Sequence, residues 1–259
     1  MLTQVIFLTT LALPAAVSGG APPAAPDVAR YDGVLREYVL DNGAVRYGAL
    51  RANLEPLDRF VEQIGSVSPD SHPGLFPTRE AKLAYWINAY NALVLWAFAR
   101  DYPEEKDRLD GLIGRGLFFY QRKFLVGGKK LSLATLENDI IRERFHEPRI
   151  HFAIVCASAS CPWLARRAYT ADNLDELLEA RTRLFVNQDR NVKIDPPTRT
   201  VTLSKIFDWY DEDFGATDGQ ILKFIARYRK DGTRLLHGEW RVRHFAYDWS
   251  PNDAPDSTR

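Results

Sequence analysis

The densest chemical signal in the chain is the run His151-Phe-Ala-Ile-Val-Cys156-Ala-Ser-Ala-Ser-Cys161-Pro162, which holds both of its cysteines. Residues 150–155 are a short apolar run consistent with a buried strand that ends at Cys156. A thiol at the end of a strand, followed by small residues, can sit beside free backbone N–H groups, a setting suited to a nucleophile and an oxyanion pocket. Such a thiol needs a base, and the histidines are His72, His146, His151, His237 and His244. His151 is nearest in sequence, but five residues along an ideal strand put it on the face opposite Cys156, so pairing requires a bulge or an early strand end. His244, on an expected final strand, and His146 are the other options. Asn88 and Asn91 could orient the base or line the oxyanion pocket, and Asp248, between Tyr247 and Trp249, is a candidate orienting acid or the partner of a nearby arginine.

Plainer readings compete for the same residues. In an oxidising compartment Cys156 and Cys161 could form a disulfide that silences the nucleophile. Cys156 could equally be a small buried hydrophobe with His151 a satisfied core histidine. One His with two Cys could begin a zinc site, yet no fourth ligand stands at a recognisable spacing, so neither metal nor cofactor is expected. The acids Asp208, Asp211, Glu212 and Asp213 read as a solvated helix face, with Phe207, Tyr210 and Phe214 inward. A Gly-rich phosphate loop, a His-Glu-x-x-His helix and a Gly-x-Ser-x-Gly elbow are all missing from the sequence, which argues against nucleotide, zinc-protease and α/β-hydrolase chemistry.

The elements that must position these residues are helices and hairpins in alternation. Residues 31–40 and 50–64 carry helical spacing, with Asn42-Gly43 between them. Residues 83–98 are apolar on every side except Asn88 and Asn91, which marks a buried central helix whose two amides must have fixed partners. Residues 117–126 and 129–131 flank Gly127-Gly128 as a hairpin with a primed turn, and Ser132 caps a helix running to about Phe145. Thr170 caps another helix, residues 192–194 and 200–203 form a second hairpin around Pro196-Pro197, Ser204 caps a short helix, and residues 240–247 alternate as a last strand. This order predicts an α+β fold, a single domain with a central buried helix and a short mixed or antiparallel sheet with hairpins, rather than repeated βαβ winding.

Composition bounds the partners. Apolar residues make up 46% of 259, ample for one large core, and Lys plus Arg equals Asp plus Glu at 34 each, so no net field draws the chain to nucleic acid or an anionic membrane. The expected partner is a small molecule or peptide bound by a monomer. Residues 5–17 are an apolar run followed by a small-x-small site, which reads as a signal peptide over residues 1–18, followed by a flexible leader over 19–26. The domain then covers 27–250, with 251–259 as a loose tail, and the expected location is exported, periplasmic or secreted. Thirteen apolar residues are too few to span a bilayer at about twenty per crossing, and no span is expected in the mature chain.

Four motifs together resemble the domain of unknown function 547 (DUF547) family: Tyr85-Trp-Ile-Asn-Ala-Tyr-Asn-Ala-Leu93, Pro148-Arg-Ile-His-Phe-Ala-Ile-Val-Cys-Ala-Ser-Ala-Ser-Cys-Pro162, Ile206-Phe-Asp-Trp-Tyr-Asp-Glu-Asp-Phe214 and Tyr247-Asp-Trp-Ser250. The resemblance implies no particular activity. It does imply a departure, because the family pattern usually reads Glu-His before the cysteine segment where this chain has Glu137-Asn138. An asparagine cannot take a proton from a thiol and can only orient or donate a hydrogen bond. The expected alternatives are therefore a thiol-dependent hydrolase or acyltransferase using Cys156, and a non-catalytic binding module with a Cys156–Cys161 disulfide whose Trp and Tyr residues line a groove.

Overall fold

A computed structural model describes residues 23–102 and 111–254, so the expected signal peptide and the first residues of the leader lie outside the described residues. The fold is organised around α4 (Arg79–Arg100), whose N-terminus is capped by Thr78 accepting a hydrogen bond from Ala81 N at 3.1 Å. Every residue from 83 to 95 is buried, as an all-round apolar helix requires. Helix α1 (Val28–Tyr38) packs on α2 (Tyr47–Ala52) and α3 (Glu55–Ser66), and these two pack on α4. The single helix expected over residues 50–64 is two, because Pro56 can occupy only the first turn of a helix and forces a new start. In the turn between α1 and α2, Gly43 takes φ +76° with Trp163 so near that an added Cβ would lie 2.5 Å from its Cβ.

The Gly127-Gly128 hairpin forms with both glycines left-handed (φ 55° and 81°) and Val126 paired to Lys129, joining β1 (Phe124–Val126) to β2 (Lys129–Leu131). The first strand is shorter than expected, because α5 (Leu112–Gly116) continues as a π-turn over Leu117–Gln121. Ser132 Oγ accepts from Thr135 N at 3.1 Å and starts α6 (Thr135–Arg142), which is wound as a π-helix and runs on through Glu143–Phe145.

After α7 (Leu174–Val186), β3 (Val192–Asp195) pairs antiparallel with β4 (Thr200–Leu203), and β5 (Arg241–His244) joins β4 in parallel, giving a mixed three-stranded sheet. Between them lie α8 (Ile206–Trp209), a 3-10 turn over Asp211–Phe214 and α9 (Asp218–Tyr228). The chain is thus an α+β single domain. Its core has two clusters, one around α4 and one of Phe152, Phe185, Phe207, Phe214 and Ile225 under the three-stranded sheet. No helix among the described residues is long and apolar enough to cross a membrane.

Two expectations are corrected. Residues 150–155 are not a strand: Pro148–Phe152 is a 3-10 turn, begun by the Glu147 carboxylate accepting from Arg149 N, and the chain continues irregularly to Cys156. An apolar run shows burial but not conformation, so the strand parity that separated His151 from Cys156 has no basis here. The tail is not loose where it is described, since Pro251 bridges Ser158, Asp253 bridges Val45, and Ala254 is buried.

Candidate functional site

A cavity of about 640 Å³ opens at the seam between the two core clusters, lined from one side by Tyr90 of α4 and by Glu137, Asn138 and Arg142 of α6. Facing them are His151, Cys156 and Cys161, with Trp209, Tyr210, Tyr247 and Trp249 completing the wall. The π-winding of α6, in which Glu143 N–H reaches back to Asn138 O, brings Ala134, Glu137, Asn138 and Arg142 onto one face. Trp209, 44% exposed, and Tyr120, 65% exposed, leave apolar ring surface at the mouth, where the Arg115 guanidinium lies 4.4 Å over Trp249.

Glu137 accepts from two tyrosines, Tyr210 at 2.6 Å and Tyr90 at 3.0 Å. Burial first, and then the nearby Glu137 charge, pushes both phenols well above the ordinary tyrosine range, so both remain donors at neutral pH. Beside them His151 Nε2 lies 2.5 Å from Asp213 Oδ2, with the ring stacked on Tyr210 at 4.1 Å. Arg142 grips the same carboxylate through Nε (2.7 Å) and Nη2 (3.2 Å), and through Nη1 donates to Asn138 Oδ1 at 2.7 Å. Desolvation alone would raise the Asp213 carboxyl, but the hydrogen bonds and charges of His151 and Arg142 outweigh it and hold the group well below the usual carboxylate range.

Cys156 and Cys161 are joined as a disulfide with Cα atoms 6.3 Å apart, which leaves no free cysteine in the chain. Cys156 is half-buried and its sulfur lies 3.0 Å from Ser158 Oγ and 3.3 Å from Tyr247 Oη. Cys161 is 5% exposed, and its sulfur accepts from Cys156 N at 2.9 Å. The loop between them carries a left-handed Ala157 (φ 61°) and is laced to the C-terminal segment by Ala159 N to Ser250 O, Ser160 N to Asp248 O and Asn252 N to Ala157 O. Arg190 secures it from the other side, donating to Ala159 O and Cys161 O.

The other sequence candidates fall in three places. Asn91 and Asn88 are clamps: Asn91 donates to Ala153 O and accepts from Val155 N, while Asn88 does the same for Tyr169 O and N. Asn91 therefore holds the segment entering Cys156, and neither amide lines the cavity. His244 faces Asp208, with Nδ1 3.8 Å from Oδ1, and the exposed Asp248 caps Ser250 through its N–H and hydroxyl. Of the three base candidates His151, His244 and His146, only His151 shares the cavity with Cys156, and its Nε2 is spent on Asp213.

Residues 76–186 match a family described as protein of unknown function, DUF547. Over these residues the chain is similar to the DUF547 family. No curated protein and no solved structure matches it. The DUF547 segment supplies Tyr90, Glu137, Asn138, Arg142, His151 and both cysteines, whereas Trp209, Tyr210, Asp213, Tyr247 and Trp249 come from outside it. Asn138, where the family resemblance places a histidine, accepts from Arg142 one turn on in the same helix and donates to Ala134 O at 3.0 Å. Sequence reasoning missed Glu137 as a ligand of tyrosines and set Asp213 among the solvated acids. The usable signal was the Glu137-Asn138 pair itself, polar residues on the inward side of a helix that buries Leu136 and Ile140.

Proposed function

We propose that the chain is an exported binding module of the cell envelope, whose aromatic cleft takes a small-molecule or peptide ligand and whose Cys156–Cys161 bridge forms part of the cleft wall. The carrying observation is the cavity of about 640 Å³, within the size range of ligand pockets and lined by seven large aromatic rings around a few convergent polar groups. The paired polar groups favour binding over acid–base work, because Glu137, Arg142, His151 and Asp213 each already have hydrogen-bond partners. A bridged Cys156 has no thiolate to attack with, and its sulfur is flanked by hydroxyls rather than an imidazole. Export is supported by the bridge itself, since disulfides persist in oxidising compartments.

Two measurements test the proposal. A thiol count on guanidinium-unfolded, unreduced protein should find no free thiol; two free thiols would favour a thiol-dependent hydrolase or acyltransferase instead. Saturation-transfer NMR with tryptic peptides of an unrelated protein should show binding to the wild type that is lost in Trp209→Ala and Trp249→Ala. Transfer that is equal in wild type and both variants overturns the cleft assignment.

A further inference from the structure

We propose that the Cys156–Cys161 bridge is a thiol–disulfide exchange site, and that the ligand class of the cleft is a small or peptidic thiol captured at Cys156 as a mixed disulfide. This rests on the cleft reading and names its ligand. Three observations carry it. The bridge lines the cavity rather than lying beneath it, so a ligand seated against Trp209 and Tyr247 is beside a reducible bond.

The two sulfurs are also unequal. Cys156 is half-buried and its sulfur is bordered by two hydroxyls, whereas Cys161 belongs to the buried cluster around α4. Which sulfur an incoming thiol attacks is set by access, and access favours Cys156. The leaving sulfur is Cys161, which already accepts the Cys156 N–H at 2.9 Å, a donor aimed at the charge that appears when the bond breaks.

Finally, the loop does not depend on its bridge. Three backbone hydrogen bonds to the C-terminal segment, the Ser160 Oγ contact to Asp248 N at 2.9 Å and the Arg190 guanidinium hold residues 157–161 from both sides. Opening the bond therefore leaves Cys156 and Cys161 positioned to close it again.

In the exchange step the incoming thiol loses its proton to solvent and its sulfur attacks Cys156 Sγ. A new S–S bond forms there as the Cys156–Cys161 bond breaks, with the electron pair moving to Cys161 Sγ as a thiolate. The incoming sulfur is oxidised, Cys161 is reduced, and attack by Cys161 on the mixed disulfide reverses the step and releases the thiol. When both sulfurs are reduced, the Ser158 and Tyr247 hydroxyls can donate to a Cys156 thiolate.

The test is to incubate the folded, oxidised full chain with glutathione, quench with acid, alkylate the freed thiol and map both modifications by peptide mass. The expected result is glutathione on Cys156 and alkyl on Cys161, with the Cys156 adduct in excess by about tenfold or more. Equal adducts on the two sulfurs overturn the proposal, as does a folded protein that refuses glutathione under conditions where the unfolded protein accepts it. In support, Cys161→Ser should leave a Cys156 that reacts readily with an aromatic disulfide reagent, and Cys156→Ser a Cys161 that reacts slowly. The wild-type mapping stands whether or not these variants fold. S-methylglutathione, which cannot exchange, separates the two readings: saturation transfer to it with no exchange by glutathione sinks the exchange site alone, and exchange at Cys156 with no cleft contact by either compound sinks the cleft reading alone.

Discussion

Replacing Asn91 with alanine removes the donor to Ala153 O at 2.9 Å and the acceptor of Val155 N–H at 3.0 Å in one step. Asn91 is 1% exposed on the central helix, so bulk water does not reach the two backbone groups it leaves behind. A buried group left without a partner costs about 1–3 kcal/mol, so the pair amounts to about 2–6 kcal/mol. A water molecule entering the vacated space would satisfy part of this and draw the figure towards about 3–4 kcal/mol. For a chain of this length that is a fall in Tm of about 6–16 °C. Urea unfolding with an unchanged m-value measures the loss, and hydrogen exchange should show the Val155 amide unprotected in the variant. Asn88→Ala is the control: a comparable loss of stability, with exposure of the Tyr169 amide and the Val155 amide still protected. A loss under about 1 kcal/mol, or protection at Val155 that survives the substitution, refutes the claim that Asn91 positions the entry to Cys156.

Three further outcomes are expected. Tyr210→Phe should destabilise the protein by about 1.5–3 kcal/mol in urea unfolding, since its hydroxyl bonds a carboxylate; no change would mean the Glu137 contact contributes nothing. Asp213 has a folded pKa below its unfolded value of about 3.9, so its contribution is present above that value and is lost as pH falls below it. Asp213→Asn should therefore lower stability at neutral pH and flatten its decline below about pH 4, and urea midpoints across pH that stay parallel to wild type would contradict this. Gly43→Ala should cost more than about 2 kcal/mol, from a left-handed φ together with overlap on Trp163, whereas Gly128→Ala, left-handed but in open space, should cost about 1 kcal/mol; the reverse order in thermal unfolding would refute the packing argument.

What the sequence disclosed and what it hid divide along the range of the forces involved. The central helix was legible because burial on all sides leaves a continuous apolar stretch, and its two amides were legible as bonded because an unpaired buried amide is too costly to keep. The Gly-Gly hairpin was legible because its turn demands positive φ from both residues. The conformation of residues 150–155 was not, since apolarity reports burial and the deciding feature is the Glu147 cap on the turn before it. Asp213 was misread because helical spacing was carried across Tyr210, whereas the helix stops at Trp209 and restarts as a tighter 3-10 turn that swings Asp213 towards Arg142 and His151. The tyrosines on Glu137 come from positions 47 residues before it and 73 after it, a pairing no local pattern encodes. Of the six site candidates, the structure gathers only His151 and Cys156 around one cavity, and the remaining polar groups there answer to tertiary packing.

The lacing of the C-terminal segment bears on the order in which this protein can be completed. Asn252 alone touches two distant stretches: its N–H meets Ala157 O, while its carbonyl receives Val45 N–H and its side chain spans Gly43 O and the Tyr47 hydroxyl. On the ribosome, the cysteine loop and the turn between α1 and α2 emerge long before the residue that ties them together. Until that knot is drawn, the carbonyl of Ala157 and the amide of Val45 have only water for company. The cleft is therefore a late product of synthesis, since residues 76–186 emerge before the segment that laces them and before the rings of Trp209, Tyr210, Tyr247 and Trp249.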